Sequence, residues 1–261
     1  MAARSYRVGL IYVLCALIGL VIATVTSGPA RLLAGPLARA SDGHVQLAAT
    51  GGTWWSGSTD LIISTAQGRL QLTGLTWQFD ATQLWRGELT ITVVSNAPEL
   101  SGTIGAQLGL DGLRLRSTDL HASVQLLANQ IPALGAIGPQ GALQLQTDTL
   151  ALTAGRLSGA ATLRIANSRS ARLGDMGDYQ IDMTGAGDSV AIALGTIRGP
   201  VRLNGNGQCS LGGVFQFRGE ARAEGPDSAR LSSILSSFGM PRADGSVQLA
   251  WPIGSGAAHD G

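Results

Sequence analysis

The sequence has few charged and few aromatic residues for a chain of 261 residues. Charged residues make up 13% and aromatic residues 5%, whereas about a quarter of the residues in an average globular domain are charged. Low charge together with 44% hydrophobic residues argues against a generally disordered chain. The formal net charge is only +1 and no residue is lysine. We therefore do not expect a surface that tracks nucleic-acid phosphates.

Cysteine is also scarce, and glycine is abundant instead. Only Cys15 and Cys209 are present, which excludes a disulfide-dense scaffold. Cys209 is therefore expected to be buried, free or paired with another molecule, and a small buried residue is the commonest case. The 37 glycines lack the every-third-residue period of collagen. A β-rich fold with many turns is the class that remains.

Catalytic motifs are missing as well. The chain contains no HExxH, GxSxG, P-loop or CxxC pattern, the patterns that mark common metal, nucleophile, phosphate and redox sites. Its three histidines, His44, His121 and His259, are widely separated and show no acid–base spacing. We predict a protein that is not an enzyme, with no catalytic, cofactor-binding or metal-binding residues and no cofactor.

One acidic cluster has carboxylates at short intervals. Asp175, Asp178 and Asp182 lie close together in GDMGDYQID, and carboxylates at short intervals can bind calcium. Their spacing does not match an EF-hand loop, so a turn followed by a strand, with Asp182 facing solvent, is favoured. A hydrolase that uses Asp178 or His121 is the least favoured function.

The strongest local feature is an apolar run from Val8 to Val25 that contains no charged residue. Its length is close to the roughly 20 residues that cross a bilayer core. Arg4 and Arg7 precede the run, and basic flanks are preferentially retained in the cytoplasm. We predict a single-pass membrane protein with a cytoplasmic N-terminus and an exported remainder. A cleaved signal peptide is the alternative, although its apolar core is usually only about 7 to 15 residues long.

The rest of the chain shows the period of two that is typical of strands. Apolar and polar residues alternate in segments such as RLQLTGLTWQF, ELTITVV, GALQLQTDTLAL, GAATLRIA and VFQFRGEARA. One segment differs, because Leu231, Ile234, Leu235 and Phe238 have helical spacing. We predict a mostly β fold in which one antiparallel, curved or groove-like sheet follows the membrane helix, with one short helix near residues 228–238. The predicted parts are a cytoplasmic stub at 1–7, a transmembrane helix at 8–25, a linker at 26–40, the β-rich domain at 41–254 and a flexible tail at 255–261.

Tryptophans are concentrated early in the β-rich domain. Trp54 and Trp55 are adjacent, and Trp77 and Trp85 follow. Such rings can face bilayer headgroups or a protein partner. The alternative is a packed strand corner in which one ring of the adjacent pair points away from the other. The candidate structural or partner-contact residues are Trp54, Trp55, Gly57, Trp77, Trp85 and Gly87.

Several short motifs, in order, resemble those of the type II secretion system protein N family of Gram-negative envelopes. They are GTWWSGS at 52–58, LTWQF at 75–79, LWRGEL at 84–89, LGDMGDYQIDM at 173–183, IRGPVRLNGNG at 197–207 and ILSSFGMPRADG at 234–245. A single N-terminal span precedes them, as in the family. The chain departs from the family pattern by two extra residues in LGDMGDY and by the free Cys209.

The resemblance implies an accessory or assembly component of the type II secretion system. Such a protein would be anchored in the inner membrane and would carry its β domain in the periplasm. Its expected partners are other type II secretion components, in the inner-membrane platform or the pseudopilus. The sequence is also distantly similar to β-repeat envelope proteins that form lipid-conducting grooves. The alternative function is therefore an envelope protein that binds lipid or another apolar ligand in an open β groove.

Overall fold

The structure is a computed structural model that describes residues 28–65, 68–128, 138–170, 174–237 and 239–251. Contacts divide the chain into two units, residues 1–80 and residues 81–261. The predicted cytoplasmic stub, transmembrane helix and C-terminal tail lie outside the described residues. Within the described ranges, no helix is both long enough and apolar enough to cross a membrane.

In its described residues, the first unit has two short helical segments followed by three antiparallel strands. Its elements are a 3-10 helix Ala30–Leu33, helix α1 Ala34–Ala40, and strands β1 Val45–Gly52, β2 Ser56–Thr65 and β3 Gly68–Asp80. The strands pair in chain order, β1 with β2 and β2 with β3. Residues 30–40 are helical. They belong to the predicted linker at 26–40. The 3-10 helix and α1 both contact β1.

The second unit is an antiparallel meander. Its strands are β4 Leu89–Asn96, β5 Leu100–Gly109, β6 Gly112–Ser123, β7 Pro139–Thr153, β8 Arg156–Ser170, β9 Gly174–Gly185, β10 Ser189–Arg198, β11 Val201–Ser210, β12 Phe215–Ala223, β13 Met240–Pro241 and β14 Val247–Trp251. It also contains a 3-10 helix Leu84–Arg86, helix α2 Val124–Ala128 and helix α3 Ser228–Leu235. Each strand from β4 to β12 pairs with the next, and β14 lies between β12 and β13. In the described part of the unit, the order is that of an open sheet.

Cross-strand register separates two chemically different faces of this sheet. Residues directly opposite each other in neighbouring antiparallel strands have their side chains on the same face. One series, named here the aliphatic row, comprises Leu120, Leu145, Leu163, Ile181, Leu194, Gly205, Gly219 and Leu249. The adjacent series, named the polar row, comprises Asp119, Gln146, Thr162, Asp182, Ala193, Asn206, Arg218 and Ala250. Because successive residues of a strand face opposite sides, the two rows lie on opposite faces.

In the described residues of the second unit, helices α2 and α3 pack near strand ends. Val201 at the start of β11 and Leu231 on α3 are each 2% exposed and form a buried cluster. Met176, Leu203 and Ile234 pack against this cluster. Helix α2 contacts β7. By contrast, the six leucines and isoleucines of the aliphatic row remain partly exposed.

The structure confirms the main sequence predictions for the fold. Apart from Glu88 and Val214, each the first residue of its segment, the predicted strand segments lie in strands. Neighbouring strands pair in the antiparallel direction. The predicted helix near 228–238 is present as α3, which ends at Leu235; Phe238 lies outside the described residues. The helices at 30–40 and at 124–128 were not predicted. The helix at 124–128 has five residues, too few to display a helical period, and the segment at 30–40 contains Gly35 and Pro36, residue types that indicate turns and loops.

Replacement of Leu231 by alanine is expected to destabilise the second unit by about 2–5 kcal/mol, because it removes a buried side chain and leaves a cavity. The matched control is Leu211→Ala, since Leu211 is exposed and its truncation should change stability by no more than about 0.5 kcal/mol. Urea unfolding of both variants, followed by circular dichroism, measures the difference. Equal midpoints for the two variants would contradict the packing of α3 on β11.

Candidate functional site

Trp54, Trp55 and Trp77 meet at the corner between β1 and β2, named here the tryptophan corner. The indole N–H of Trp77 donates a hydrogen bond of 2.9 Å to the carbonyl oxygen of Trp54. The backbone N–H of Phe79 donates to the carbonyl oxygen of Trp55 at 2.7 Å. These bonds hold the two corner residues against β3. All three tryptophans are half-buried.

The rings of the adjacent tryptophans touch, which corrects one expectation. The centroids of the Trp54 and Trp55 rings are 5.7 Å apart in an edge-to-face arrangement, and Trp55 makes a similar contact with Phe79 at 6.2 Å. The expectation that one ring points away from the other was wrong because it assumed an extended strand. Residues 54 and 55 instead form a bend, so the alternation of strand side chains does not apply to them.

Gly57 allows this corner to close. A Cβ atom at Gly57 would lie 2.5 Å from the carbonyl oxygen of Gly51 and 2.6 Å from the Trp77 ring. Only a residue without a side chain fits between β1 and the Trp77 indole. Glycine is therefore required at position 57 because the β1 backbone and the Trp77 ring approach it closely, and not because of an unusual backbone angle.

The tryptophan corner is also bonded to the residues that precede the 3-10 helix Ala30–Leu33. The backbone N–H of Trp54 donates to the carbonyl oxygen of Gly28 at 3.0 Å, and Pro29 forms an isolated bridge with Thr53. Ala30, which follows, is buried. The first described residues of the chain are thus fixed to the tryptophan corner.

Trp85 and Gly87 lie in the second unit, in a different setting. Trp85 is 76% exposed in the 3-10 helix Leu84–Arg86, and the Arg86 guanidinium lies 4.4 Å from the centroid of its ring. Gly87 ends this helix in the left-handed conformation, with φ of 72°. A Cβ atom at Gly87 would lie 3.0 Å from the side chain of Leu110. The segment around Trp85 therefore contacts the β5–β6 hairpin.

These two segments present exposed apolar side chains. Leu110, at the turn between β5 and β6, is 95% exposed. Leu108 and Leu113 flank it and are directly paired across the hairpin. We name this surface the apolar tip; it consists of Leu84, Trp85, Leu108, Leu110 and Leu113. Exposed apolar clusters of this kind are typical of interaction sites. Composition and period alone did not identify the leucines, because their proximity depends on the turn geometry.

Three of the family-like motifs meet elsewhere in the second unit. Tyr179 of LGDMGDYQIDM is buried, and its hydroxyl donates to Met176 O at 2.6 Å or to Val201 O at 3.3 Å. Val201 belongs to the second motif, IRGPVRLNGNG, and packs on Leu231 of α3. The third motif, ILSSFGMPRADG, begins at Ile234 of the same helix. Burial raises the pKa of the Tyr179 phenol above its ordinary value. The three motifs therefore build one structural corner.

Asp178 and His121, the two candidates for acid–base chemistry, have local partners. Asp178 forms an ion pair with Arg198 and accepts a hydrogen bond from the backbone N–H of Asn167. The hydrogen bond from Arg198 holds the pKa of Asp178 below its usual value. His121 lies 3.4 Å from Asp119. In the described ranges, no group of three His, Cys, Asp or Glu residues is arranged to hold a metal ion.

A cavity of about 470 Å³ opens between β6, β7 and β8. Its lining is mainly polar and includes Ser117, Asp119, Asp148 and Arg164. Pockets for apolar ligands are lined mostly by hydrophobic side chains. This cavity therefore does not suit a lipid chain.

Replacement of Gly57 by valine is expected to open the tryptophan corner and to cost about 1–3 kcal/mol, because the new side chain collides with Gly51 and Trp77. Gly51→Ala is the matched control, since a Cβ atom there meets only Ser58 Oγ at an ordinary 3.6 Å. Tryptophan emission and urea unfolding report on both variants. A native emission spectrum and unchanged stability for Gly57→Val would refute the close approach.

Gly87→Val is expected to disturb the end of the 3-10 helix Leu84–Arg86. Gly87 has a positive φ, and a β-branched residue is strained in that conformation. Loss of the contact with Leu110 would follow. Proteolysis of the β5–β6 hairpin at low protease concentration measures the change, and a cleavage pattern identical to that of the unmodified protein would contradict it.

Comparison with known proteins gave a match to a family model but to no individual protein. No curated protein and no solved structure matched the chain. The family model described as type II secretion system (T2SS), protein N, matches residues 43–250, which include both sets of strands, the tryptophan corner and the apolar tip. The chain therefore belongs to the type II secretion system protein N family.

Proposed function

We propose that this protein is a noncatalytic accessory or assembly component of the type II secretion system that is anchored in the inner membrane and docks envelope partners through its β domain. Family membership supports a role in type II secretion. The anchor is the apolar run at 8–25, and the β domain that follows it lies in the periplasm. The partners are components of the inner-membrane platform or the pseudopilus.

The observation that carries the docking role is the exposure of the apolar tip. Leu110 and Trp85 are 95% and 76% exposed, and the contact between Leu110 and Gly87 brings their two segments together. Tryptophan is among the residues most enriched at energetic hot spots of interfaces. A partner that covers the apolar tip would remove these side chains from water, which is favourable at about 25 cal/mol for each Å² of apolar surface buried.

The charged side chains beside the apolar tip have partners within the protein. Asp111 pairs with Arg114, and Glu88 accepts a hydrogen bond from Gln107 at 2.7 Å. Arg86 lies over the Trp85 ring. The apolar tip therefore favours an apolar contact surrounded by polar groups, the usual arrangement of a protein interface.

Replacement of Leu110 by aspartate is expected to impair type II secretion, because it places a charge in the proposed apolar contact. The fold should stay intact, because the Leu110 side chain is exposed and its loss creates no cavity. Ile197→Asp is the matched control, since Ile197 is an exposed apolar residue on β10 outside the apolar tip. Export of a secreted enzyme into the medium is the readout, with protein level checked by immunoblot. Equal secretion by both variants at equal protein level would contradict the docking role of the apolar tip.

The alternative function, binding of lipid or another apolar ligand in an open β groove, is favoured by a separate observation. The aliphatic row carries partly exposed leucine and isoleucine side chains across β6 to β10. None of its members has a charge or a side-chain hydrogen-bonding group. Such a surface is complementary to a hydrocarbon chain, which also lacks polar groups.

If the aliphatic row binds lipid, Leu163→Asn should reduce the lipid that copurifies with the protein, because it places an amide among aliphatic side chains. Thr162→Asn is the matched control, since Thr162 is the preceding residue and belongs to the polar row. Mass spectrometry of extracts from equal amounts of both proteins measures the difference. Equal lipid in the two extracts, or none in either, would exclude this function.

A further inference from the structure

We propose that the first unit rests directly on the lipid bilayer through a cationic and aromatic surface, named here the membrane collar. The membrane collar is the set of side chains Arg31, Leu32, Leu37, Arg39, Trp54 and Trp55, none of which is buried. Its ligand is the headgroup region of a bilayer that contains anionic phospholipids. This proposal rests on the membrane anchor at residues 8–25 that forms part of the proposed function.

The first part of the membrane collar is the helical segment Ala30–Ala40. This segment contains Arg31 and Arg39 and no acidic residue, and the first acidic residue of the whole chain is Asp42. Leu32 is 60% exposed and Leu37 is 38% exposed. Exposed leucines together with arginines, and no carboxylates, are typical of segments that lie on anionic membrane surfaces.

The second part is the tryptophan corner, which is fixed to the start of the same segment. The carbonyl oxygen of Gly28 accepts a hydrogen bond from the backbone N–H of Trp54. Pro29 bridges to Thr53. The arginines, the exposed leucines and the paired indoles therefore belong to one continuous part of the first unit.

The position of this part relative to the bilayer follows from chain length. The predicted span ends at Val25, and Gly28 is the third residue after it. Three residues extend over at most about 10 Å, only slightly more than the roughly 5–8 Å depth of the headgroup region on one side of a bilayer. A chain that leaves the hydrocarbon core at Val25 must therefore place Gly28, and with it the tryptophan corner, close to the headgroups.

The side chains of the membrane collar suit that position. Tryptophan is enriched at membrane–water interfaces because its ring is apolar and its indole N–H is polar. Trp54 and Trp55 are only half-buried, so neither residue is fully removed from the surface. Arginine beside them is attracted to anionic headgroups. The short tether makes the bilayer, rather than a protein partner, the occupant of this surface.

The proposal can be tested with the full-length protein reconstituted in vesicles of phosphatidylethanolamine and phosphatidylglycerol. Part of the lipid carries bromine near the carbonyl end of its acyl chains, which quenches tryptophan that lies at the interface. The double variant Trp54→Phe and Trp55→Phe should lose about half or more of the quenching of the unmodified protein, since these rings belong to the interfacial class. The variant retains the Trp54 carbonyl oxygen that accepts the Trp77 hydrogen bond.

Two controls make the result specific. Trp85→Phe removes an exposed indole of the second unit and should leave most of the quenching in place. The double variant Arg31→Gln and Arg39→Gln should weaken quenching in phosphatidylglycerol vesicles more than in vesicles of phosphatidylcholine alone, because anionic headgroups attract arginine.

The outcome that would overturn the proposal is equal quenching in the unmodified protein and in the variant that lacks Trp54 and Trp55. Extraction of the protein from membranes by alkaline carbonate would also overturn it, because no anchor would then hold the tryptophan corner at the bilayer. Neither result affects the docking role of the apolar tip, which is measured separately by secretion of the Leu110 and Ile197 variants.

Discussion

Antiparallel register is the constraint on which the second unit depends. Each strand from β4 to β12 pairs with its neighbour in the chain, so the alternation of apolar and polar residues in one strand is matched to that of the next. A slip of one residue would exchange the faces of the whole strand and would place Asp182 among leucines. Register therefore creates both the aliphatic row and the polar row, and it also brings Leu108 opposite Leu113 in the apolar tip.

Much of this fold could be predicted from the sequence because strands carry their signal locally. The alternation in segments such as ELTITVV identifies a strand without knowledge of its partner. The helical spacing of Leu231, Ile234 and Leu235 identifies α3 in the same way. The order of the short motifs was sufficient to identify the family. By contrast, helix α2 has five residues, too few for its period to be recognised.

The candidate sites were less predictable because they depend on contacts between distant residues. The tryptophans and Gly57 stand out by residue type, but the contact of the Trp54 and Trp55 rings depends on a bend that alternation does not reveal. The role of Gly57 is visible only when the Trp77 ring is placed above it. Leu110 has no distinguishing sequence pattern at all. Its significance comes from its exposure at a hairpin turn and from its contact with the segment of Trp85.

The most direct test of the central claim, that the β domain docks components of the type II secretion system, is photocrosslinking in living cells. A photoreactive amino acid at position 110 would be activated in the native, full-length protein, and crosslinked proteins would be identified by mass spectrometry. We expect components of the inner-membrane platform or the pseudopilus, and we expect them to be absent when the photoreactive group is at position 197. Recovery of only unrelated envelope proteins, or of no protein, from position 110 would contradict the claim.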